Sequence, residues 1–119
     1  MRSGAYFRLR IANDDDIAVG PGKIDLLESI ARTGSITAAA KQMGMSYRRA
    51  WLLVDTMNRC FRSPVVATLA GGPRGGGTEL TALGTQVVKR YRNAEALAQR
   101  AAAAEISALQ RLMQTPAKN

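Results

Sequence analysis

Two adjacent arginines, Arg48 and Arg49, stand between Tyr47 and Trp51 and directly behind Ser46. A guanidinium group is a planar fork of hydrogen-bond donors that can bind O6 and N7 of guanine together, or clamp a phosphate. The stretch is therefore typical either of a charged helix that solvates one face or of a surface that contacts nucleic acid. The rest of the chain decides between these two interpretations.

The net charge of the chain favours an acidic partner. The 119 residues carry a formal charge of +8, and the 46% hydrophobic content is that of a folded protein and not of a basic tail. Residues 32 to 74 contain six arginines and Lys41 against Asp55 alone. The positive field is thus concentrated in the middle of the chain, around the two arginines.

Catalysis has little support in the sequence. The chain has no histidine, its acidic residues are scattered or gathered in one turn, and Cys60 has no evident base beside it. One cysteine cannot build a disulfide framework or a thiolate metal site, and its apolar surroundings suggest a small core residue. We expect a protein that is not an enzyme and that has no cofactor and no metal site.

No membrane association is expected either. The N-terminus lacks the continuous apolar stretch of a signal peptide, and no uncharged run approaches the roughly 20 residues of a membrane-spanning helix. These features predict a cytoplasmic protein.

Residues 6–12 alternate apolar Phe7, Leu9 and Ile11 with arginines, which is the period of a half-buried strand. A turn follows, so we predict a strand or hairpin over 6–19. A first helix is then predicted over about 22–32.

The opening stretch itself predicts a helix-turn-helix unit over 35–62. Ser35 can cap a second helix, Gly44 suits the left-handed position that ends it, and Ser46 can cap a third helix two residues later. On a helical wheel the third helix has a buried stripe, which consists of Ala50, Val54, Met57 and Phe61.

The opposite face of the third helix carries Arg48, Leu52, Asp55 and Arg59. Because Asp55 would repel phosphates, only the first two turns are expected to enter a major groove. Leu52 could contact a thymine methyl group or be an ordinary exposed leucine.

The roles of three further residues stay open. Trp51, on the flank of the helix, could pack against the protein or stack on a sugar or base. Thr37 and Lys41 of the second helix could touch phosphates or be solvated.

After the third helix, residues 65–80 read as two strands joined by a glycine-rich loop that carries Arg74. The loop is not a phosphate-binding loop of the nucleotide-hydrolase kind, since no Gly-Lys-Ser/Thr closes it. It suits a wing whose tip approaches the minor groove or a phosphate.

A long final helix is predicted over 81–113, with Thr81 as its cap and 114–119 as a tail. One stripe of small and apolar residues runs along it, and a helix this long has little core of its own to cover. We therefore expect the stripe to cover a second copy of the chain. The stripe consists of Val87, Tyr91, Ala94, Ala98, Ala102, Ile106, Leu109 and Met113.

Together these elements predict an α+β, mainly helical fold: a winged helix-turn-helix domain over 1–80, followed by a long C-terminal dimerisation helix. In that fold the expected DNA-binding residues lie on the two helices and the wing. They are Thr37, Lys41, Ser46, Tyr47, Arg48, Arg49, Trp51 and Arg74.

The sequence from Gly20 to Asn58 resembles the DNA-binding domain of the ModE family of molybdate-responsive repressors and, more distantly, that of LysR-type regulators. The shared motifs are "GSI", "AAK", "G-M-S-Y", "AW" and "MN", followed by "LTALG" at 80–84. The resemblance covers about residues 20–100. It implies a bacterial, dimeric DNA-binding domain in which the helix from "LTALG" onward contributes to the dimer.

The resemblance also sets the expected function: a homodimeric transcription regulator that reads an inverted repeat in double-stranded DNA. Molybdate binds a separate module in the full-length family members, and we expect no direct binding of molybdate to this chain. The alternative is a winged-helix module that binds a protein partner and no specific DNA. Salt-dependent binding to a duplex distinguishes the two functions.

Overall fold

The computed structural model describes residues 4–69 and 77–114. Within these residues the chain forms four helices and two antiparallel two-stranded sheets, in the order β1, β2, α1, α2, α3, β3, β4, α4. The elements are β1 (Ile11–Asn13), β2 (Asp16–Val19), α1 (Pro21–Thr33), α2 (Ile36–Gln42), α3 (Tyr47–Cys60), β3 (Val66–Thr68), β4 (Thr78–Leu80) and α4 (Ala82–Arg111). This is the predicted α+β, mainly helical architecture.

The N-terminal hairpin is shorter than the sequence pattern predicted. β1 begins at Ile11, and its register pairs Ala12 with Ile17 and Asn13 with Asp16 around a turn in which Asp14 adopts a φ of 57°. The prediction that the strand starts at residue 6 is therefore wrong. Residues 6–10, which precede β1, belong to neither sheet.

Those preceding residues lie along α4 instead. The Tyr91 hydroxyl donates a hydrogen bond to the Leu9 carbonyl oxygen at 2.7 Å, and the Gln99 side-chain amide donates to the Ala5 carbonyl oxygen at 3.3 Å. The alternation of apolar and charged residues indicates that one side of the segment is covered by another part of the protein. It does not indicate whether that part is a strand or a helix.

The helix-turn-helix unit is formed as predicted. The Ser35 hydroxyl accepts from the Ala38 backbone N–H at 3.1 Å, which starts α2. Gly44 then takes a φ of 66°, a left-handed conformation that glycine adopts without steric cost and that turns the chain toward α3. In addition, the buried Ser29 hydroxyl donates to Gln42 Oε1 at 2.7 Å and so joins α1 to α2.

The core lies between α1, the inner faces of α2 and α3, the start of β3, and the first half of α4. Its alanines, which include Ala39, Ala40 and Ala50, are small enough for α2 and α3 to cross closely. Ala50, Val54 and Met57 are buried, which confirms the predicted stripe of α3. Phe61 follows the last residue of α3 and lines an open groove, so it is only half-buried.

The two predicted strands of the wing are present and pair with each other. β3 and β4 pair in register from Val66 opposite Leu80 to Thr68 opposite Thr78, and the Leu69 N–H donates to the Gly77 carbonyl at 2.8 Å. The Thr78 N–H donates to the Gly34 carbonyl at 2.9 Å, so β4 is bound to the turn between α1 and α2. Arg74, the predicted tip residue, lies outside the described residues.

Arg92 of α4 binds two carboxylates of α1 and one of its own helix. Its guanidinium nitrogens lie 2.8 Å from Asp25, 2.6 Å from Glu28 and 2.8 Å from Glu95. The hydrogen bond from Arg92 lowers the pKa of Glu28, and this bond raises the pKa of Arg92 in turn. The ion-pair network holds the first half of α4 in its place on the body of the domain.

This network predicts a specific loss of stability in acid. Because the pKa of Glu28 is lowered in the folded state, its stabilisation is complete above the unfolded-state pKa and is lost as the pH falls through the folded-state value. Since about a third of Glu28 is exposed, Glu28→Gln should cost only about 1 kcal/mol at neutral pH. Urea denaturation of both proteins from neutral pH to pH 3 should show this difference shrinking. A constant difference would contradict the prediction.

Beyond the network, α4 extends away from the body. Thr81 caps the helix, with its hydroxyl accepting from the Gly84 N–H at 3.0 Å, as predicted. Large apolar side chains are exposed along the far part of α4 and at its end. They are Leu97, Leu109, Leu112 and Met113, of which Leu112 is the most exposed at 84%.

Candidate nucleic-acid interface

The first turn of α3 is fixed by its cap. The Ser46 hydroxyl accepts a hydrogen bond from the Arg49 backbone N–H at 3.1 Å, and α3 begins at the next residue, Tyr47. The cap leaves the Arg48 and Arg49 side chains exposed at the positive end of the helix dipole. A negative group that approaches this end meets both guanidinium groups.

The outer side of α3 is an exposed surface of mixed chemistry. The exposed fraction is 53% for Tyr47, 46% for Trp51 and 45% for Leu52. Together with Arg48 and Arg49, these residues form what we call the reading surface. Trp51 is not part of the core, and nearly half of its surface is free to contact a ligand.

Asp55 is the acidic residue that interrupts this side of α3, and its charge has a partner. Arg59 Nε lies 3.1 Å from an Asp55 carboxylate oxygen, while Arg59 Nη1 lies 3.6 Å from Asp16. The ion pair reduces the repulsion that Asp55 would exert on a phosphate. It also marks the end of the reading surface, two turns into the helix.

Two predicted residues of α2 are exposed as well. Thr37 and Lys41 are one turn apart, and neither forms an ion pair or a side-chain hydrogen bond with a described residue. Their neighbours Ala39 and Ala40 are buried in the core, so these two side chains lie on the outer side of α2. This position suits contact with a phosphate.

Asn58 joins α3 to the wing, a role that sequence reasoning missed. Its Oδ1 accepts from the backbone N–H groups of Val65 at 2.8 Å and Val66 at 3.2 Å. The Nδ2 group of the same side chain donates to the Val66 carbonyl at 3.4 Å. A lone asparagine near a helix end gives no sequence signal for such a long-range contact, which fixes the wing relative to the reading surface.

The wing is also fixed from the side of α4. The Thr81 hydroxyl donates to the Pro64 carbonyl at 2.7 Å, and the Thr81 N–H donates to the Val65 carbonyl at 3.0 Å. Gly84 is buried directly over Val65, and a Cβ atom built on it would overlap the Val65 carbonyl group. The backbone of α4 therefore meets the backbone of the residue that precedes β3.

The predicted dimerisation stripe of α4 falls into two parts. Tyr91 is 3% exposed and belongs to the core of its own chain, so the expectation that a second copy covers this residue is corrected. Val87, Ala94 and Ala98 are half-buried, and the last two line a recess together with Phe7 and Leu9 of the N-terminal segment. Their contact with a second copy stays a prediction. Of the remaining stripe, Ala102 and Ile106 are half-buried, and Leu109 and Met113 are exposed.

An open apolar groove lies between the hairpin, the end of α3 and the first turns of α4. Its volume is about 490 Å³, and half-buried Cys60 lies in its wall with a free thiol. Arg62 and Arg90 lie at its polar edge. The apolar walls are formed mainly by Leu9, Val19, Phe61, Leu83, Val87 and Tyr91.

In the described parts of the chain, none of the helices is both long and apolar enough to cross a lipid bilayer. No model of a known protein family matches the chain.

Several characterised bacterial proteins are similar to the chain. It is 45% identical over 91 residues to the molybdenum transport protein ModE of Azotobacter vinelandii, an alignment that covers 75% of this chain and 34% of ModE. It is 44% identical to the molybdenum-pterin-binding protein MopB of Rhodobacter capsulatus over 66% of this chain and 29% of MopB. For the DNA-binding transcriptional dual regulator ModE of Escherichia coli K12 the identity is 39%, over 60% of this chain and 27% of that protein. The chain thus spans about a third of the length of these relatives or less.

A solved structure supports the fold. The DNA-binding domain of CbnR, a LysR-type protein whose crystal structure was determined in complex with DNA, superposes with a TM-score of 0.56 at 22% identity. The match covers 74% of this chain and 95% of the CbnR domain. Over the aligned region the chain is a homologue of the ModE proteins, and its fold is that of a winged helix-turn-helix domain.

Proposed function

We propose that the chain is a sequence-specific DNA-binding transcription regulator and that it inserts the first two turns of α3 into the major groove. The observation that carries the proposal is the reading surface: an exposed, arginine-bearing helix start, capped by Ser46, whose opposite side is buried in the domain. A helix fixed in this manner can present side chains to base edges without losing its own packing. The similarity to ModE of Escherichia coli K12, a DNA-binding transcriptional dual regulator, supports the same function.

In the proposed complex, the reading surface performs the sequence recognition. Arg48 forks onto guanine O6 and N7, and Tyr47 and Trp51 contact bases or sugars beside it. Leu52 meets a thymine methyl group. Contacts by Thr37 and Lys41 to phosphates set the orientation of the domain but carry no sequence information. Arg74 at the wing tip remains a predicted contact to the minor groove or to a phosphate.

We further propose that two copies read an inverted repeat whose half-sites are about one helical turn apart, or a multiple of it. The support is the far part of α4, where Leu109 and Met113 expose apolar surface at the helix end. Burial of these residues against a second copy would remove that surface from water. The cytoplasm is the proposed location, because the proposed target is chromosomal DNA.

Binding to duplex DNA at several salt concentrations tests the function. We expect log K to fall steeply and linearly with log salt for any duplex, because each contacted phosphate releases a counterion. Sequences selected by the protein from a random pool should be inverted repeats. A chain that binds no duplex at low salt would refute the proposal.

The dimer is tested by Leu109→Asp. Because Leu109 is 58% exposed within its own chain, an aspartate there should leave the monomer folded. Sedimentation should give twice the chain mass for the wild type and the single mass for the variant. Ala104→Asp, at an exposed position on the opposite face of the helix, should still be dimeric. A wild type that sediments as a monomer at every concentration would contradict the dimer.

The apolar groove favours a second candidate function, a module that binds a protein partner. A groove of about 490 Å³ with two arginines at its edge could take an apolar segment that carries an acidic residue. This function predicts no steep salt dependence with DNA. The duplex experiment therefore separates the two candidates.

A further inference from the structure

Four cationic side chains line one recess beside α3, on the side that faces the N-terminal segment. Arg8 and Arg10 come from that segment, Lys23 from the first turn of α1, and Arg49 from the first turn of α3. The four side chains are separated by up to 41 positions in sequence, so only the fold brings them together. We call Arg8, Arg10 and Lys23 the N-terminal cation cluster.

The charges in this recess are not compensated. None of the residues found to line it is acidic, and none of its four cations forms an ion pair with a described carboxylate. Arg59 and Arg92, by contrast, have carboxylates within 4 Å. Like charges gathered without counter-charge raise the free energy of the isolated domain. A polyanion at this place removes that cost.

The position of Arg10 within the cluster is set by the backbone beneath it. A Cβ atom built on Gly20 would come within 3.3 Å of Arg10 Cγ, so the aliphatic stem of Arg10 lies close over the residue that precedes α1. The stem is held against the protein while the exposed guanidinium remains in water. A group held in this way loses less conformational entropy when it binds.

The cluster is continuous with the reading surface, because Arg49 of the reading surface lines the same recess. We propose that the N-terminal cation cluster binds the phosphate backbone of DNA next to the base pairs read by α3. This inference rests on the proposed function and deepens it. It assigns to the N-terminal segment a positioning contact that is independent of base sequence.

A double variant, Arg8→Gln with Arg10→Gln, tests the cluster. Glutamine keeps Cβ and Cγ, so the contact of the Arg10 stem over Gly20 is retained. The slope of log K against log salt should become shallower by about 1.8, since each lost phosphate contact removes about 0.9. Affinity should fall by the same factor for a selected duplex and for a duplex of random sequence, so that their ratio stays unchanged.

Two matched proteins make the result decisive. Arg8→Lys with Arg10→Lys keeps both charges and should retain the wild-type slope, whereas Arg100→Gln, an exposed arginine on α4, should change nothing. A wild-type slope in the glutamine variant, with the wild type itself binding steeply, would overturn the cluster and leave the proposed function standing. A wild type with no salt-dependent binding overturns both. A changed ratio between the two duplexes would mean that the cluster reads bases, and this too would refute the inference.

Discussion

Arg48→Ala should weaken binding to a selected duplex by about 1–3 kcal/mol, which is roughly 5- to 150-fold. The expected loss is large because the side chain of Arg48 is exposed at a capped helix start, where a bidentate bond to guanine can form. The expected signature is loss of discrimination at one base position, measured with duplexes that carry each single substitution. Binding to a random duplex should fall much less.

Arg49→Ala should lose a similar amount, but its pattern should differ. Since Arg49 also lines the recess with the N-terminal cation cluster, we expect a larger share of its effect in the salt slope and a smaller share in base discrimination. Arg100→Ala is the matched control, an exposed arginine outside the reading surface. Wild-type affinity in both single variants at moderate salt would disprove the assignment of α3 as the recognition helix.

Gly84→Ala should unfold the domain at a markedly lower temperature. The added Cβ would lie 2.9 Å from the Val65 carbonyl carbon and would overlap its oxygen. Both partners are backbone, so no side chain can rotate away, and either α4 or β3 must move. Overpacking of this kind costs about 3 kcal/mol, which corresponds to a fall of roughly 10 °C in Tm by calorimetry.

Gly22→Ala provides the matched control. Gly22 also lies in a helix, but a Cβ atom there would meet nothing within 4 Å. The same chemical change should therefore stabilise by about 0.4–1 kcal/mol, because alanine restricts the unfolded chain. Equal Tm values for the two variants would show that the contact between Gly84 and Val65 does not constrain the fold.

The features that sequence reasoning predicted well are local ones. Ser35, Ser46 and Thr81 each accept a hydrogen bond from the N–H three residues later, so the start of each helix depends on a short stretch of chain. Gly44 needs only its own backbone freedom to make the turn. The buried stripe of α3 follows from helical period alone.

The features that the sequence pattern missed depend on distant partners. The Asn58 side chain accepts hydrogen bonds from Val65 and Val66, which follow it by seven and eight residues. Arg92 binds carboxylates on α1 that are more than 60 positions away. The N-terminal segment has a strand-like pattern, but the groups available to its carbonyls are side chains of α4. A local sequence pattern cannot show which distant residue will be the partner. The N-terminal cation cluster escaped sequence reasoning for the same reason.

The hydrogen bond between Tyr91 and Leu9 has a consequence for how the domain is made. The two residues are 82 positions apart, and Tyr91 belongs to the core. At a synthesis rate of 5–20 residues per second, Leu9 leaves the ribosome roughly 4 to 16 s before Tyr91 is available to it. The helix-turn-helix unit emerges in between, with part of its core still open to water. The nascent chain therefore completes its fold only when its last helix arrives, and until then its N-terminal segment is open to chaperones.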